Sequence, residues 1–195
     1  MEAKTPRVDP RVLRTRQLLK DAFIELLQEM DVEKISVNRI AERATINRVT
    51  FYLHYKDIPD MLDKLADEMV AEIKQIINAP TGKLQEGETE NWRTLVSLLQ
   101  HIADHAKFYK VILASKGTPI FKERLLKMLT ELISERIDQV WNEAEVGIQK
   151  DIAVWYGASS LIGTIVGWLH KDMPYTPRYL AKQFFMMRAY SNPNL

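Results

Sequence analysis

The sequence predicts an all-α protein, with an N-terminal three-helix domain that contains a helix-turn-helix, followed by a C-terminal helical bundle, and about nine helices in total. Three observations support this class. Apolar residues recur at spacings of three and four along most of the chain, and no segment alternates convincingly like a half-buried strand. Residues 36–56 have the pattern of two short capped helices joined by a tight turn. Residues 79–90, APTGKLQEGETE, have the proline, glycine and charge content of a linker.

The charge distribution is more informative than the total charge. Lys and Arg number 27 and Asp and Glu 26, so the net charge of +1 says nothing about partners. Basic residues, however, predominate in residues 1–20 and 34–56, whereas residues 21–33 are acidic. Such a run is more often simply a solvated face, but two basic segments flanking a helix-turn-helix favour contact with phosphates.

The cysteine count and the N-terminus bear on the compartment. The chain has no cysteine, which excludes disulfides and Cys-ligated metal sites and fits a reducing cytoplasm. No apolar run follows the N-terminal charges, so no signal peptide is expected. We therefore predict a cytoplasmic protein.

The N-terminal elements follow from capping and periodicity. After a basic arm, residues 11–30 form an amphipathic helix, which residues 31–34 break. Ser36 is a suitable N-cap for a second helix, and Asn47 is a suitable N-cap for a third. The third helix is expected to bury Phe51 and Tyr55, which lie four residues apart on one face.

This burial predicts what the third helix leaves outside. Arg48, Val49, Tyr52 and Leu53 must then point outward, with His54 and Lys56 near the helix end. An exposed Tyr and Leu suit a surface that meets base edges, thymine methyls and phosphates. The alternative is an ordinary helical hairpin within a larger core, since such hairpins are common.

The remaining elements continue the helical pattern. Residues 1–56 are assigned to the arm and the DNA-binding domain, with the motif at about 36–55, and residues 57–78 to a connecting helix. The linker at 79–90 leads to a C-terminal domain over residues 91–195. Its helices are expected at 91–105, 108–114, 118–143, 148–171 and 176–190.

Residues 44–57, ATINRVTFYLHYKD, resemble the signature of the TetR/AcrR family of bacterial transcription regulators, in which Thr-Phe-Tyr is followed by aromatic or His residues and a Lys. Thr45 and Val49 stand where the family pattern has glycine. Residues 105–121 and 167–185 resemble, more weakly, the C-terminal domain of a Firmicutes branch of the family. The resemblance implies that the chain contacts DNA through these residues: Ser36, Arg39, Asn47, Arg48, Val49, Thr50, Tyr52, Leu53, His54 and Lys56.

Residues 152–169, IAVWYGASSLIGTIVGWL, contain no charged residue and carry a Gly-x-x-x-Gly motif. Their length and motif are compatible with a transmembrane helix. Their three glycines, two serines and one threonine lower the hydrophobicity, so a bundle core or a subunit interface is favoured, and no membrane partner is predicted. The family resemblance implies a homodimer formed through the last two long helices. The residues expected at this interface are Ser160, Gly163, Gly167 and Trp168.

His101 and His105 share a helical face, a spacing that suits a metal ion. The zinc-peptidase motif would need Glu at position 102, which is Ile, and no third ligand is evident. We therefore predict no metal, no cofactor and no catalytic residue. The resemblance implies instead a pocket for a small-molecule effector in the C-terminal domain. Its candidate residues are His101, His105, Phe108, Tyr109, Met128 and Trp155.

The sequence thus predicts a dimeric, ligand-responsive regulator that binds a pseudo-palindromic double-stranded DNA operator, most simply a repressor. A small molecule would shift the connecting helix and change the separation of the two recognition helices. An activator responding to a partner protein is an alternative within this class. A helical metal-binding or enzymatic module using His101 and His105 is the alternative from another class.

Overall fold

The computed structural model describes residues 9–79, 89–114, 117–137 and 147–190, and these ranges contain nine α-helices, one short 3-10 turn and no strand. The all-α class is therefore confirmed. The helices are α1 (Pro10–Glu29), α2 (Val37–Arg43), α3 (Arg48–Tyr52), α4 (Ile58–Ile77), α5 (Glu90–Asp104), α6 (Ala106–Ala114), α7 (Pro119–Ile137), α8 (Lys150–His170) and α9 (Pro177–Tyr190).

The chain divides into two compact units, and the division falls inside a helix. Unit 1 takes α1 to α3 and the first part of α4 up to Leu65, and unit 2 begins at Ala66. The helix predicted over residues 57–78 thus contributes to both units. The predicted linker at 79–90 lies largely outside the described residues, and so does the predicted extension of the seventh helix beyond Ile137.

Capping residues set the starts of the helices in unit 1. Asp9 accepts a hydrogen bond from the Arg11 amide at 2.9 Å and Pro10 occupies the first helical position, where its missing N–H costs nothing. The Ser36 hydroxyl accepts from the Arg39 amide at 3.3 Å. Asp57 caps α4 by accepting from the Asp60 amide at 2.8 Å. The N-cap predicted at Ser36 is therefore present.

The turn between α2 and α3 forces Thr45 into a left-handed conformation. Its φ is 55°, its amide donates to the Glu42 carbonyl, and the Ile46 amide donates to the Ala41 carbonyl. This pair of bonds is a Schellman motif, in which the residue after the helix usually is glycine. A β-branched residue at this point is strained, because its Cβ crowds the following carbonyl.

Gly117, between α6 and α7, belongs to unit 1 although it is distant from that unit along the chain. A β-carbon at Gly117 would collide with the side chain of Val32, in the 3-10 turn Val32–Lys34. The neighbouring Thr118 is completely buried. The backbone can approach Val32 this closely only because residue 117 has no side chain.

Unit 2 is a bundle in which α8 packs on α6 and α7, and α9 packs on α5. Trp92 of α5 meets Phe185 of α9 with ring centroids 5.7 Å apart. Lys110 of α6 forms a 2.7 Å ion pair with Asp172, which follows α8. The core of α8 consists of Val154, Ala158, Leu161, Ile165, Trp168 and Leu169.

The strain at Thr45 yields a stability prediction. Thr45→Gly should raise the free energy of unfolding by about 1 kcal/mol, because glycine adopts this φ without the steric cost. Urea unfolding of the variant and the wild type measures the change. Thr45→Ala is the control, since alanine keeps a Cβ in the left-handed region. An alanine variant as stable as the glycine variant would contradict the assignment of strain to the backbone.

Candidate nucleic-acid interface

The third helix is anchored by two aromatic rings. Phe51 is completely buried and Tyr55 is 2% exposed, with ring centroids 5.5 Å apart. Asn47 caps the helix by accepting from the Val49 amide at 2.8 Å. The predicted inward positions and the predicted second cap are therefore present. Since α3 is short, these two anchors determine which way its other side chains face.

The opposite side of α3 is exposed and unusually apolar. Val49 is 66% exposed and Leu53 is 77% exposed, and Arg48 and Tyr52 are also exposed. Thr50 is half-buried beside them. Large apolar side chains gain nothing from facing water, so this surface has the composition of a binding face.

Arg48 and Tyr52 form a pair on this face. The Tyr52 hydroxyl accepts from Arg48 Nη2 at 2.9 Å and from Nε at 3.3 Å. The guanidinium carbon lies 5.4 Å from the centre of the Tyr52 ring, within the range of a cation–π interaction. The two residues are four apart on the helix, which brings their side chains together.

A charged network holds the C-terminal end of α3 to α4. Lys64 Nζ donates to the His54 carbonyl at 3.0 Å and to Asp60 at 2.8 Å, and it lies 5.5 Å from the centre of the Tyr55 ring. Asp60 also accepts from the Lys56 amide at 2.9 Å, while the Lys56 side chain is exposed. Lys64 and Asp60 were not predicted from the sequence, although their spacing of four on a helix is a recognisable signal.

Partial burial and the cationic neighbours Arg16 and Lys64 lower the pKa of His54 below 6.5. The imidazole is therefore predominantly neutral at pH 7, and it is half-buried. A neutral imidazole offers a hydrogen bond but no positive charge to a phosphate. Of His54 and Lys56, only Lys56 therefore brings a positive charge to this end of α3.

The α2 helix presents a less basic surface than the residue count suggested. Arg43 forms a bidentate pair with Glu29, at 2.8 and 2.7 Å, and lies 3.5 Å from Glu25. Lys34 is paired with Asp31 at 3.2 Å. The hydrogen bond from Arg43 lowers the pKa of Glu29. Arg43 therefore fastens α2 to α1, whereas Arg39 is exposed beside the Ser36 cap.

The six residues proposed for an effector pocket differ in burial and in their neighbours. Tyr109 and Met128 are in the core of unit 2, and His101 is buried with its Nε2 3.0 Å from the Tyr109 hydroxyl. The His101 and His105 rings are 4.6 Å apart, but His105 is exposed. Burial and the negative charge of Glu72 raise the pKa of Tyr109. Phe108 is half-buried and lies edge-on to Tyr109, with ring centroids 5.3 Å apart.

Trp155, the remaining pocket candidate, lies elsewhere. It is 58% exposed near the start of α8, where it borders an open groove of about 530 Å³. Thr130, Ser134 and Lys150 also line this groove, and none of the other five candidates does. Trp155 therefore belongs to the surface of α8 and not to the His101–Tyr109 cluster.

One side of α8 is an open stripe of small and apolar residues. Within the described residues, a β-carbon added at Gly163 or Gly167 would meet nothing within 4 Å. Ser160 is half-buried, and Trp168 is buried in its own unit, where its indole N–H donates to the Tyr175 carbonyl at 2.9 Å. Trp168 is thus part of the core, a correction to its predicted place at the interface. We call the exposed residues the α8 stripe: Ile152, Trp155, Tyr156, Ser159, Gly163, Gly167 and His170.

Two structural features bear on the alternative functions. In the described ranges, one helix, Lys150–His170, is long and apolar enough to cross a membrane. Core helices of soluble proteins meet the same criterion. Its buried side packs on α6 and α7 as an ordinary bundle helix does. Among the described residues, no group of three or more His, Asp or Glu is placed to hold a metal ion.

A family profile described as a TetR-type transcriptional regulator C-terminal region matches residues 90–189, just over half of the chain. The chain belongs to the TetR family of transcriptional regulators. This TetR-family chain is 24% identical over 182 residues to the HTH-type transcriptional regulator YxbF of Bacillus subtilis (strain 168). That alignment covers 93% of the chain and 46% of YxbF, so the chain spans about half the length of this relative.

Solved structures share the fold of this TetR-family chain. A TetR transcriptional regulator from Streptococcus agalactiae 2603V has a TM-score of 0.69 and 27% identity, over 91% of this chain and 94% of that one. The fatty acid degradation regulator FadR from Bacillus halodurans has a TM-score of 0.67 and 20% identity, over 95% and 96%. The family consists of regulators and not of enzymes, which disfavours the enzymatic alternative.

The environment of His54 predicts a pH-dependent stability. Because the folded-state pKa is below that of the unfolded chain, the unfolded state binds the proton first as the pH falls. The contribution of His54 to the free energy of unfolding is complete above about pH 6.5, and it is lost as the pH falls through the folded-state pKa. His54→Gln should therefore lose less stability than the wild type between about pH 7.5 and about pH 5.5 in urea unfolding. An equal loss in both proteins would contradict this origin.

Proposed function

We propose that this TetR-family regulator is a homodimer that binds a pseudo-palindromic DNA operator through α3 of each subunit and is released by a small molecule. It would thus act as a ligand-responsive repressor in the cytoplasm. The observation that carries the proposal is the exposed face of α3, where Arg48, Val49, Tyr52 and Leu53 surround a helix anchored by buried aromatic rings. A face of this kind suits base edges and thymine methyls in the major groove.

A mobility shift with the DNA upstream of the chain's own gene tests the proposal. The expected result is a specific complex, with a footprint of two half-sites related by a two-fold axis, because one recognition helix per subunit mirrors the symmetry of the dimer. A single asymmetric half-site protected at saturation would contradict the dimeric part. Equal affinity for upstream DNA and random DNA would contradict recognition of an operator at this site.

The exposed ammonium of Lys56 supports a role in phosphate contact without base recognition. Lys56→Ala should weaken binding to operator and random DNA by the same factor and lower the salt slope by about one unit for each phosphate that the ammonium neutralises. Affinities measured over a series of salt concentrations give both quantities. Lys127→Ala is the control, because Lys127 is an exposed lysine on α7 of unit 2. Weakening confined to the operator would assign Lys56 to base recognition instead.

The α8 stripe supports the dimer. Bare glycines along a helix let a second helix approach closely, and no described part of the chain takes that space at Gly163 or Gly167. Ile152, Trp155 and Tyr156 continue the stripe with exposed apolar surface. An isologous dimer would bury this surface twice, once from each subunit. Of the four predicted interface residues, we retain Ser160, Gly163 and Gly167.

Gly163→Leu should shift the protein towards monomer without unfolding it. The added side chain meets nothing in its own chain within the described residues, but it would hold a partner helix away, and overpacking typically costs about 1–3 kcal/mol at each copy. Sedimentation velocity measures the oligomeric state, and operator affinity should fall steeply as the dimer dissociates. Lys127→Leu on α7 is the control for an added surface leucine. A Gly163→Leu dimer with unchanged operator affinity would place Gly163 outside the interface.

Contacts of α4 in unit 2 support a route for the effector signal. The negative charge of Glu72 raises the pKa of Tyr109. Asp67 forms an ion pair with Arg124 at 2.9 Å, and Lys74 forms one with Glu131 at 3.6 Å. We place the effector beside His101 and Tyr109, where a buried polar pair can orient a ligand. A ligand that favours one arrangement of these contacts would bias α4, which continues into unit 1.

A further inference from the structure

Two hydrogen bonds to Tyr52 fix the orientation of the Arg48 guanidinium. The Tyr52 hydroxyl oxygen lies against one edge of the guanidinium, the edge formed by Nε and Nη2. This leaves Nη1 and the outer N–H of Nη2 at the opposite end, where they make no hydrogen bond within the described residues. The end of a guanidinium is a fork of two parallel donors with a fixed spacing.

A fork of two donors selects one base in the major groove. Guanine presents two acceptors there, O6 and N7, whereas adenine presents N7 beside an amino donor that would oppose the fork. Cytosine and thymine do not offer two adjacent acceptors on one base edge. The outer end of Arg48 is therefore matched to guanine.

We propose that Tyr52 is a positioning residue that holds Arg48 for recognition of a guanine in each operator half-site. This inference rests on the proposed function, since it requires α3 to enter the major groove. An unrestrained arginine on an exposed helix loses rotamer freedom when it binds, and an arginine already held by a neighbour loses less. The ring of Tyr52 adds a cation–π contact, and its hydroxyl fixes which edge of the guanidinium faces outward.

Val49 and Leu53 provide an internal reference on the same helix. Val49 follows Arg48 and Leu53 follows Tyr52, and both side chains are strongly exposed. The two therefore form a separate apolar strip that suits thymine methyl groups. Removal of the Tyr52 hydroxyl should leave this strip unchanged. Guanine recognition and methyl recognition can thus be measured separately in one protein.

The test uses the full chain and DNA selected from a random oligonucleotide pool. Each guanine of the selected half-site is replaced in turn by 7-deazaguanine, which lacks only the N7 acceptor, and each thymine by deoxyuridine, which lacks only the methyl. The wild type should lose about tenfold or more in affinity at one guanine position in each half-site. Arg48→Lys should abolish that sensitivity, because an ammonium lacks the fork.

Tyr52→Phe isolates the hydroxyl, since it keeps the ring and the fold of an exposed site. Its 7-deazaguanine effect should shrink to about threefold or less, while its sensitivity to deoxyuridine and its affinity for random DNA stay at the wild-type values. An undiminished 7-deazaguanine effect would overturn the positioning role. So would equal weakening on selected and random DNA, which would make Tyr52 a phosphate contact. A wild-type protein that selects no sequence would overturn the proposed function itself, and the inference with it.

Discussion

Burial of Phe51 and Tyr55 is the constraint on which the exposed face of α3 depends. A helix as short as Arg48–Tyr52 has little stability of its own, so it persists because its two aromatic anchors are packed beneath it. Once those rings are inside, helical geometry leaves no freedom in where Arg48, Val49, Tyr52 and Leu53 point. The exposed face of α3 is therefore set by the core beneath it, and a change in that core would reorient its side chains without replacing any of them.

Some basic residues of unit 1 join its helices through paired contacts, whereas others keep exposed side chains. The bidentate pair of Arg43 with Glu29 joins α2 to α1 and offsets the charge of an exposed cation. Lys64 is similarly engaged with Asp60 and the His54 carbonyl. Lys56 and Arg39 keep exposed side chains. The positive charge of unit 1 that is not already paired is thus smaller than its number of basic residues implies. Lys56 and Arg39 are two of the positions where such charge is exposed. A regulator with modest non-specific attraction relies more heavily on base recognition for its affinity.

Much of this organisation could be predicted from the sequence because the signals are local. The caps at Ser36 and Asn47 and the inward pair Phe51 and Tyr55 follow from residue type and spacing, whereas the Gly-x-x-x-Gly motif left both a bundle core and a subunit interface open. Pairings across elements could not be predicted, since nothing local connects Arg43 to Glu29 or His101 to Tyr109. For the same reason Trp168, predicted at the interface, packs within its own unit. Trp155, predicted in a pocket with His101 and Tyr109, borders a groove that neither of them lines. Periodicity predicts which face of a helix is apolar, but it does not predict which other element packs against that face. The roles of the DNA-facing residues and of the α8 stripe remain predictions.

The contact of Gly117 with Val32 has a consequence for biosynthesis. Unit 1 is discontinuous, because it is completed by residues that follow α6 in the chain. A growing polypeptide can form α1 to α3 early, but Val32 stays uncovered by this contact until residue 117 has left the ribosome. A fragment that ends before residue 117 would therefore lack this contact on Val32. Unit 1 therefore acquires its full packing only after α4, α5 and α6 have been synthesised.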